Sequence, residues 1–329
     1  EIYTLSLHDA LPIYELEMSF VDADDVIEVQ EGFLKRVMKE MKGIDIETPF
    51  PRMTWKEAMT RYGSDKPDTR FGFELRDITD KVRDCGFQVF TDAIAAGGSV
   101  RAICVTGGAD RYTRKKIDKL TEAVKSYGAK GMVWMKVTAD GISSSVGKFF
   151  SPEQLQDIAG GLGAEAGDLI LILSDQNKVV FDGLGFLRRH VAGEMGLLDD
   201  RKFNFLWVVD FPLFEYDEKE DRWSAMHHPF TSPKAEHAEL LKTDPHACLA
   251  NAYDIVLNGV ELGGGSIRIH DQEMQEAMFK ALDMGEKEID GKFGFLVEAF
   301  KYGAPPHGGL AYGLDRLVML LTGEKSISS

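Results

Sequence analysis

Hydrophobic and polar positions follow two different periodicities in the first part of the chain. Residues 15–21 alternate as a strand does, and residues 24–41 repeat apolar side chains at helical spacing. A short helix is predicted over 54–62, and the turn-rich sequence GSDKPD follows it. Because the pattern resets after this turn, the sequence predicts a domain boundary near residue 70.

The segment 70–196 mixes short strands with helices. The predicted strands are 100–105, 131–137, 169–174 and 179–181, and the predicted helices are 114–127, 152–160 and 183–196. We interpret this segment as an inserted α+β domain.

From Phe205 onward the pattern is again rich in strands, and it ends in helices predicted over 272–284 and 287–302. A last strand leads into an apolar helix over 309–323. Strand runs followed by helices predict an antiparallel sheet backed by helices. The fold class is therefore α+β, with 14–69 and 197–329 forming one domain around the insert.

A hairpin is predicted at Asn258 and Gly259, because this pair between apolar alternating runs favours a type I′ turn. The turn fixes the register, so that Val256 faces Glu261 and Asp254 lies on the same face. Two carboxylates on an otherwise apolar face suit Mg²⁺ that holds nucleotide phosphates. The alternative is a pair of solvated carboxylates at a sheet edge.

Three glycines, 263–265, follow in the strand that should continue the hairpin. They permit a flat ligand to lie against the backbone, or a bulge to form. Simple alternation puts Arg268 on the face opposite Glu261, so we predict that the glycine run inserts a bulge that brings both to one site. There Arg268 would offer a planar fork to a carboxylate. The alternative is an exposed strand arginine.

Two further segments carry candidate chemistry. His227 and His228 lie in a loop flanked by apolar residues, and adjacent histidines on an extended chain point apart, so hydrogen bonding to an anionic substrate is favoured over zinc binding. A packed loop histidine is the alternative. Asp315 and Arg316 lie in the first turn of the final helix, where unpaired backbone N–H groups suit phosphate.

Composition and charge limit the classes of protein to consider. The formal net charge of -16 opposes non-specific binding to nucleic acid. One stretch, 100–136, is locally basic, with nine Lys or Arg against three Asp or Glu, and its role is left open. Three widely spaced cysteines fit a reducing compartment, and no apolar run approaches the roughly 18 residues of a membrane span. We therefore expect a cytoplasmic, soluble protein with no membrane partner.

The first thirteen residues, EIYTLSLHDALPI, read as a complete translation of a common sequencing adapter. We expect residues 1–13 to be an adapter-derived artefact with native sequence beginning near Glu15, so that the native residue at Tyr14 stays open.

Six stretches of the chain resemble bacterial aspartyl-tRNA synthetases, which are class II aminoacyl-tRNA synthetases. In order they are ELEMSFVDADD, RYGSDKPDTR, LWVVDFPLFE, AMHHPFTSPK, NAYDIVLNGVELGGGSIRIH and KFGFLVEAFKYGAPPHGGLAYGLDRLVMLLTG. The resemblance covers nearly all of 15–327. It implies that the parent enzyme activates L-aspartate with ATP to aspartyl-adenylate and transfers aspartate to the 3′ end of tRNA.

The same resemblance implies roles for individual residues. In the ATP site Arg316 would stack on the adenine ring, and it replaces the phosphate role inferred from its helical position. Arg316 and Glu261 are the implied catalytic residues, and Asp254 and Glu261 would hold Mg²⁺ and the ATP phosphates. The implied ATP-binding residues are Glu261, Gly313, Leu314, Asp315 and Arg316.

In the aspartate site the resemblance gives Arg268 the side-chain carboxylate of the substrate and His227 the bound amino acid, with His228 beside it. Glu15 stands where the family usually has an Asp, and Glu17 stands at the carboxylate position of the second class II signature. The implied aspartate-binding residues are His227, His228, Arg268 and Glu15.

Several family features would precede Glu15: the anticodon-binding barrel, the signature helix at the dimer interface and an arginine-bearing loop. We therefore expect a fragment, inactive alone, of a parent enzyme that is a homodimer and binds tRNA. The region 70–196 is similar to an insert shared with tRNA-dependent amidotransferases. Two alternatives follow, an amidotransferase-type tRNA-binding subunit and a tRNA-independent class II paralogue. An amidotransferase-type subunit would not explain Arg268 together with the GLDR motif at 313–316. A tRNA-independent paralogue typically lacks the insert.

Overall fold

A computed structural model describes residues 13–324, 326 and 327. Apart from Ile13, the segment that we interpret as adapter-derived lies outside the described residues. The strands are β1 (Ile13–Ser19), β2 (Arg52–Thr54), β3 (Arg76–Asp77), β4 (Ser99–Val105), β5 (Val133–Thr138), β6 (Gly141–Ser144), β7 (Leu169–Asp175), β8 (Phe205–Val209), β9 (Phe214–Asp217), β10 (Arg222–Ala225), β11 (Ala252–Leu257), β12 (Val260–Ile267) and β13 (His307–Gly313).

The helices complete the element order. They are α1 (Ala23–Lys42), α2 (Trp55–Tyr62), α3 (Thr79–Val82), α4 (Gln88–Ala95), α5 (Gly108–Arg111), α6 (Arg114–Lys125), α7 (Pro152–Gly161), α8 (Asn177–Glu194), α9 (Leu240–Thr243), α10 (Gln272–Ala281), α11 (Glu286–Phe300) and α12 (Leu314–Thr322), with short 3₁₀ helices at Gly147–Phe149, Ala235–His237 and Pro245–Ala247.

The chain forms two compact units, one of residues 57–204 and one of the segments on either side of them. The central unit is longer at both ends than the insert predicted over 70–196. At its start, Arg61 pairs with Glu74 at 2.8 Å. At its end, Asn204 donates a hydrogen bond to Thr69 at 3.3 Å. These contacts attach both connecting segments to the central unit, which a change of hydrophobic pattern alone does not reveal.

The outer unit contains a six-stranded sheet in the order β1-β13-β12-β11-β8-β2. Every neighbouring pair is antiparallel except β2 and β8, which run parallel at one edge. The prediction of an α+β fold built on an antiparallel sheet is confirmed, with this parallel edge pair as the departure. Strands β9 and β10 form a separate two-stranded ribbon.

Helix α1 packs one apolar face inward, as its spacing predicts. Asp22 caps its first turn in a capping box with Asp25, and Gly43 ends it with a φ of 68°. The buried carboxylate of Glu31 accepts hydrogen bonds from the backbone N–H of Phe50 at 2.9 Å and from the indole of Trp207 at 3.0 Å. A buried carboxylate is retained at low cost only when it is hydrogen-bonded in this way, so Glu31 ties α1 to β8.

The central unit carries a five-stranded sheet in the order β3-β4-β7-β5-β6, covered on both faces. Strand β7 is buried along Leu169–Leu173, and its side chains alternate between the two cores. Leu169, Leu171 and Leu173 pack with residues of α6 and α8, while Ile170 and Ile172 pack with α4 and α7. A continuous apolar run is what a strand buried on both faces requires.

Two local predictions are wrong. The strand predicted over 179–181 is the first turn of α8, which begins at Asn177. Its β-branched residues are consistent with a strand, but Val180, Leu184 and Val191 form one buried helical stripe. Strand β1 also ends at Ser19, before the predicted Val21, because Phe20 has a φ of 60° that ends the extended conformation.

Among the described residues, none of the helices combines the length and the apolar character that crossing a membrane requires.

Candidate active site

The hairpin of β11 and β12 has the predicted turn and the predicted register. Asn258 and Gly259 have φ values of 53° and 82°, so both central positions are left-handed, as a type I′ turn requires. Val256 pairs with Glu261, and the register then shifts so that Ile255 pairs with Gly263.

The shift leaves Leu262 as the extra residue of a β-bulge, and the predicted bulge is confirmed. It lies immediately before the three glycines, whereas we predicted it within them. Beyond the bulge, Gly264 pairs with Asp254 and Ser266 pairs with Ala252. Arg268 follows Ser266 by two residues, so it comes to the face that carries Asp254 and Glu261.

Small residues give this face a flat floor between its acidic edges. Gly264 pairs with Ala311 of β13, and Ala311 pairs with Glu15 of β1. In the next row Ser266 pairs with Gly309, and Gly309 pairs with Glu17. Two strands therefore separate the carboxylates of β1 from Asp254, a span of roughly 14 Å at about 4.8 Å per strand.

Arg268 is held by three side chains. Its Nε and Nη2 donate to the two carboxylate oxygens of Glu17 at 3.2 and 3.1 Å. Its Nη1 lies 2.8 Å from Nε2 of His228 and donates to Oγ of Ser266 at 2.7 Å. The Arg268 side chain is 19% exposed, so the guanidinium is fixed in a largely buried position.

His228 is neutral in this arrangement. Burial lowers the pKa of His228 to about 4, and the positive charge of Arg268 adds to the effect. Since Nη1 of Arg268 can only donate, Nε2 of His228 is the acceptor. Its Nδ1 lies 3.3 Å from both the backbone N–H of Phe230 and the hydroxyl of Thr231, so both ring nitrogens are in contact with the protein. His228 thus acts as a neutral partner that orients Arg268.

His227 points to a different part of the face. Its Nε2 lies 3.8 Å from Oδ1 of Asp254, and its ring packs edge-on against Phe211 at 4.8 Å between centroids. Asp254 is 9% exposed. His227 therefore contacts the carboxylate of Asp254, and His228 contacts the guanidinium of Arg268. The two adjacent histidines point in different directions, as predicted.

Arg316 lies beside Glu261, at the end of the floor. Its Nη1 donates to the backbone carbonyl of Glu261 at 3.1 Å and lies 3.9 Å from the carboxylate. The Arg316 side chain is 48% exposed, which leaves room for a flat ring against it. Gly313 is the last residue of β13 and the N-cap of α12, and Leu314 and Asp315 begin the helix.

The structure also shows two contacts that sequence reasoning missed. Ser266 is buried and accepts a hydrogen bond from Arg268, and Glu17 forms an ion pair with the same arginine. Because Ser266 precedes Arg268 by two residues, strand alternation alone would have put the two side chains on one face. The pairing with Glu17 depends on β1 lying next to β13, which no local pattern indicates.

Comparisons with known proteins assign the family. The family model described as tRNA synthetases class II (D, K and N) matches residues 13–329. The chain therefore belongs to the class II tRNA synthetases of this group. It is 56% identical over 313 residues to the aspartate–tRNA ligase of Macrococcus caseolyticus and 57% identical over 314 residues to that of Ruminiclostridium cellulolyticum. These matches cover 95% of this chain and 53% of each relative, so the chain spans about half the length of the curated relatives it matches.

A solved asparaginyl-tRNA synthetase of Entamoeba histolytica, in complex with asparaginyl-adenylate, also overlaps the chain. The overlap covers 97% of this chain and 45% of that one at 16% identity, with a TM-score of 0.40. A similarity of this size adds nothing to the description of the site.

Proposed function

We propose that the parent protein is an aspartate–tRNA ligase, which activates L-aspartate with ATP to aspartyl-adenylate and transfers aspartate to the 3′ end of tRNA. The observation that carries the proposal is the bulge at Leu262, since it brings Arg268 to the face of Asp254 and Glu261. A guanidinium that can pair with a carboxylate then shares one floor with two acidic groups. The relatives named aspartate–tRNA ligase favour this function over an amidotransferase subunit or a tRNA-independent paralogue.

In this proposal the two ends of the floor have separate tasks. Arg268, oriented by His228, binds the side-chain carboxylate of aspartate, and His227 and Glu15 are the other residues proposed to contact the amino acid. At the other end the exposed guanidinium of Arg316 stacks on adenine, and Gly313, Leu314 and Asp315 lie beside it in the ATP site. Positioned charge of this kind can stabilise the transition state of adenylate formation without a covalent enzyme intermediate.

The residues present fit Mg²⁺ as part of the ATP site. Mg²⁺ is commonly bound by one or two carboxylates together with substrate phosphates, and Asp254 and Glu261 could supply the carboxylates. Asp254 is buried, and its contact with Nε2 of His227 is long at 3.8 Å, so a cation would relieve the cost of burying the carboxylate. Among residues 13–324, 326 and 327, no group of three or more His, Cys, Asp or Glu side chains is arranged to hold a metal ion. When bound, Mg²⁺ would neutralise charge on the phosphates.

The proposal includes tRNA as partner, a homodimeric parent and a cytoplasmic location, as the family resemblance implies. Three cysteines, Cys85, Cys104 and Cys248, are free thiols, which suits a reducing compartment. The central unit would be the insert that the resemblance relates to tRNA-dependent amidotransferases.

A chimera tests the proposed function. Residues 14–329 would replace the matching segment of the Staphylococcus aureus aspartate–tRNA ligase, a relative with 55% identity. We expect ATP–pyrophosphate exchange that depends on L-aspartate and is not supported by L-asparagine. Exchange supported by asparagine or another amino acid, in place of aspartate, would contradict the proposal.

A further inference from the structure

Helix α6 concentrates positive charge on a chain whose net charge is -16. Its two acidic residues are already paired, Asp118 with Arg114 at 3.0 Å and Glu122 with Lys125 at 2.6 Å. Within the described part of the chain, no carboxylate forms an ion pair with the four other cations on and beside this helix, which are all exposed: Arg111, Lys115, Lys116 and Lys119. These uncompensated charges favour an anionic partner.

The basic surface extends along the flank of α6 that faces α8. Lys116 and Tyr127 are eleven residues apart, about three helical turns, so they lie on one side of the helix. Tyr127 stacks on Phe186 of α8, with 4.9 Å between ring centroids. At the other end, the hydroxyl of Tyr112 donates to the carboxylate of Glu194 at 2.6 Å. The two helices therefore run antiparallel and side by side.

A column of three rings continues this surface onto α8. Phe186 stacks on His190 at 5.1 Å as well as on Tyr127, with interplanar angles of 26° and 27°. The two end rings are partly exposed, Tyr127 at 39% and the side chain of His190 at 41%. Exposed rings beside uncompensated lysines suit a nucleic acid better than an acidic peptide or a lipid headgroup, because bases stack on aromatic rings while phosphates pair with lysine.

We propose that this surface of the central unit, formed by Arg111, Lys115, Lys116, Lys119 and Tyr127, binds tRNA. The inference rests on the proposed function, in which tRNA is the partner, and assigns a role to the locally basic stretch 100–136. The lysines neutralise phosphates of the RNA backbone, and Tyr127 offers its exposed ring to an unpaired base. Contacts to phosphates and to the face of a base strengthen the complex without selecting its sequence.

Fluorescence anisotropy of a labelled tRNA transcript, titrated with the full chain at several salt concentrations, tests this surface. In the α6 triple variant, with glutamine at Lys115, Lys116 and Lys119, we expect Kd to rise about tenfold at about 0.1 M salt. The slope of log Kd against log salt should fall by about two to three, since each phosphate contact contributes close to one.

The control triple variant has glutamine at three lysines of the outer unit that are paired with carboxylates: Lys39, Lys242 and Lys301. It has the same net charge as the α6 triple variant and should bind tRNA as the parent does.

Substitutions of Tyr127 test the stacking contact. Tyr127→Ala should raise Kd about tenfold with the salt slope unchanged, because stacking on a base releases no counterions. Tyr127→Phe keeps the ring and should bind as the parent does. Polyglutamate of equal charge should compete poorly with tRNA, since it has no bases to stack.

Equal weakening in the two triple variants would overturn the proposal, because net charge alone would then govern binding. A parental salt slope in the α6 triple variant, parental binding in Tyr127→Ala, or no binding of tRNA by the full chain would also overturn it. Polyglutamate that competes as well as tRNA does would assign the surface to an acidic peptide instead. Aspartate-dependent ATP–pyrophosphate exchange by the chimera uses no tRNA, so it reports on the proposed function separately and should stay at the parental level in the α6 triple variant.

Discussion

Gly264 lies directly opposite Asp254, and a Cβ built on Gly264 would lie 2.5 Å from the carboxylate of Asp254. The glycine thus gives the buried carboxylate its place on the floor. Gly263 and Gly265 serve a different purpose, since a Cβ on either would lie within 2.4 Å of a backbone carbonyl of β13. Gly264 is therefore required by the site, and Gly263 and Gly265 are required by the close pairing of β12 with β13.

Replacing Gly264 by alanine should therefore displace Asp254. We expect Gly264→Ala to lower the free energy of unfolding by about 1–3 kcal/mol, as overpacking of a core does. Urea denaturation would measure the change. In the double variant with Asp254→Ala the loss should be smaller than the sum of the two single losses, because the clashing carboxylate is gone.

Gly32 provides the matched control in the same unit. It lies inside α1 with nothing within 4 Å of a built Cβ, so Gly32→Ala should stabilise the chain by about 0.5–1 kcal/mol. If Gly264→Ala behaved like Gly32→Ala, the carboxylate of Asp254 would not depend on the missing side chain.

His228 should make stability depend on pH. The pKa of His228 falls from 6.5 to about 4 on burial, so the unfolded chain takes up a proton over a range in which the folded chain does not. The stabilising contribution of neutral His228 is complete above about pH 6.5 and is lost as the pH falls toward its folded pKa of about 4.

Urea unfolding at about pH 7.5 and about pH 5 measures this effect, for which we expect a loss on the order of 1 kcal/mol after allowance for partial exposure. His228→Gln removes the titrating group and should reduce the loss between the two conditions. An equal loss in both proteins would assign the pH dependence to other groups.

In the central unit, Arg188 is a buried cation between two rings. Its Cζ lies 4.1 Å from the ring centroid of Phe71 and 4.7 Å from that of Tyr62, and desolvation lowers the pKa of Arg188 to about 10. We expect Arg188→Ala to cost about 3 kcal/mol, because it removes packing and cation–π contacts together.

Arg188→Met should cost less than half as much, since an apolar side chain of similar length fills the space without burying a charge. Unfolding of the two variants would be compared by urea denaturation. Arg83→Ala, at a 54% exposed side chain, should change stability by less than about 0.5 kcal/mol and serves as control. A larger loss for methionine than for alanine would contradict this interpretation of Arg188.

The sequence predicted those features of the site that depend on local backbone rules. Asn258 and Gly259 require left-handed conformations, so the turn and the pairing of Val256 with Glu261 followed from two residues. The need for a bulge followed from the positions of Glu261 and Arg268. Its location did not, because all three glycines tolerate distortion and only the pairing with β13 shows that they stay in register.

Contacts between distant segments could not be predicted. Glu17 and Arg268 are 251 positions apart, and their ion pair depends on the order β1-β13-β12 in the sheet. The first turn of α8 was misread for a related reason: the apolar run at 179–181 fits a strand locally, and only packing against β4 and β7 favours the helix. Tertiary packing decides such short apolar segments.

The most direct test of the proposed aspartate site is the value of kcat/KM for aspartate in the Arg268→Lys chimera. Lysine keeps the charge but loses the planar fork, and charge-assisted hydrogen bonds contribute about 1.5–3 kcal/mol each. We predict a decrease of about 100-fold or more, with little change in the KM for ATP. Arg316→Ala should show the opposite bias, toward ATP. Arg222→Lys, at an exposed arginine, is the matched control for the chemical change and should leave both constants unaltered. Aspartate kinetics in Arg268→Lys within about twofold of the parent chimera would mean that Arg268 is an ordinary strand arginine, and would contradict the proposed site.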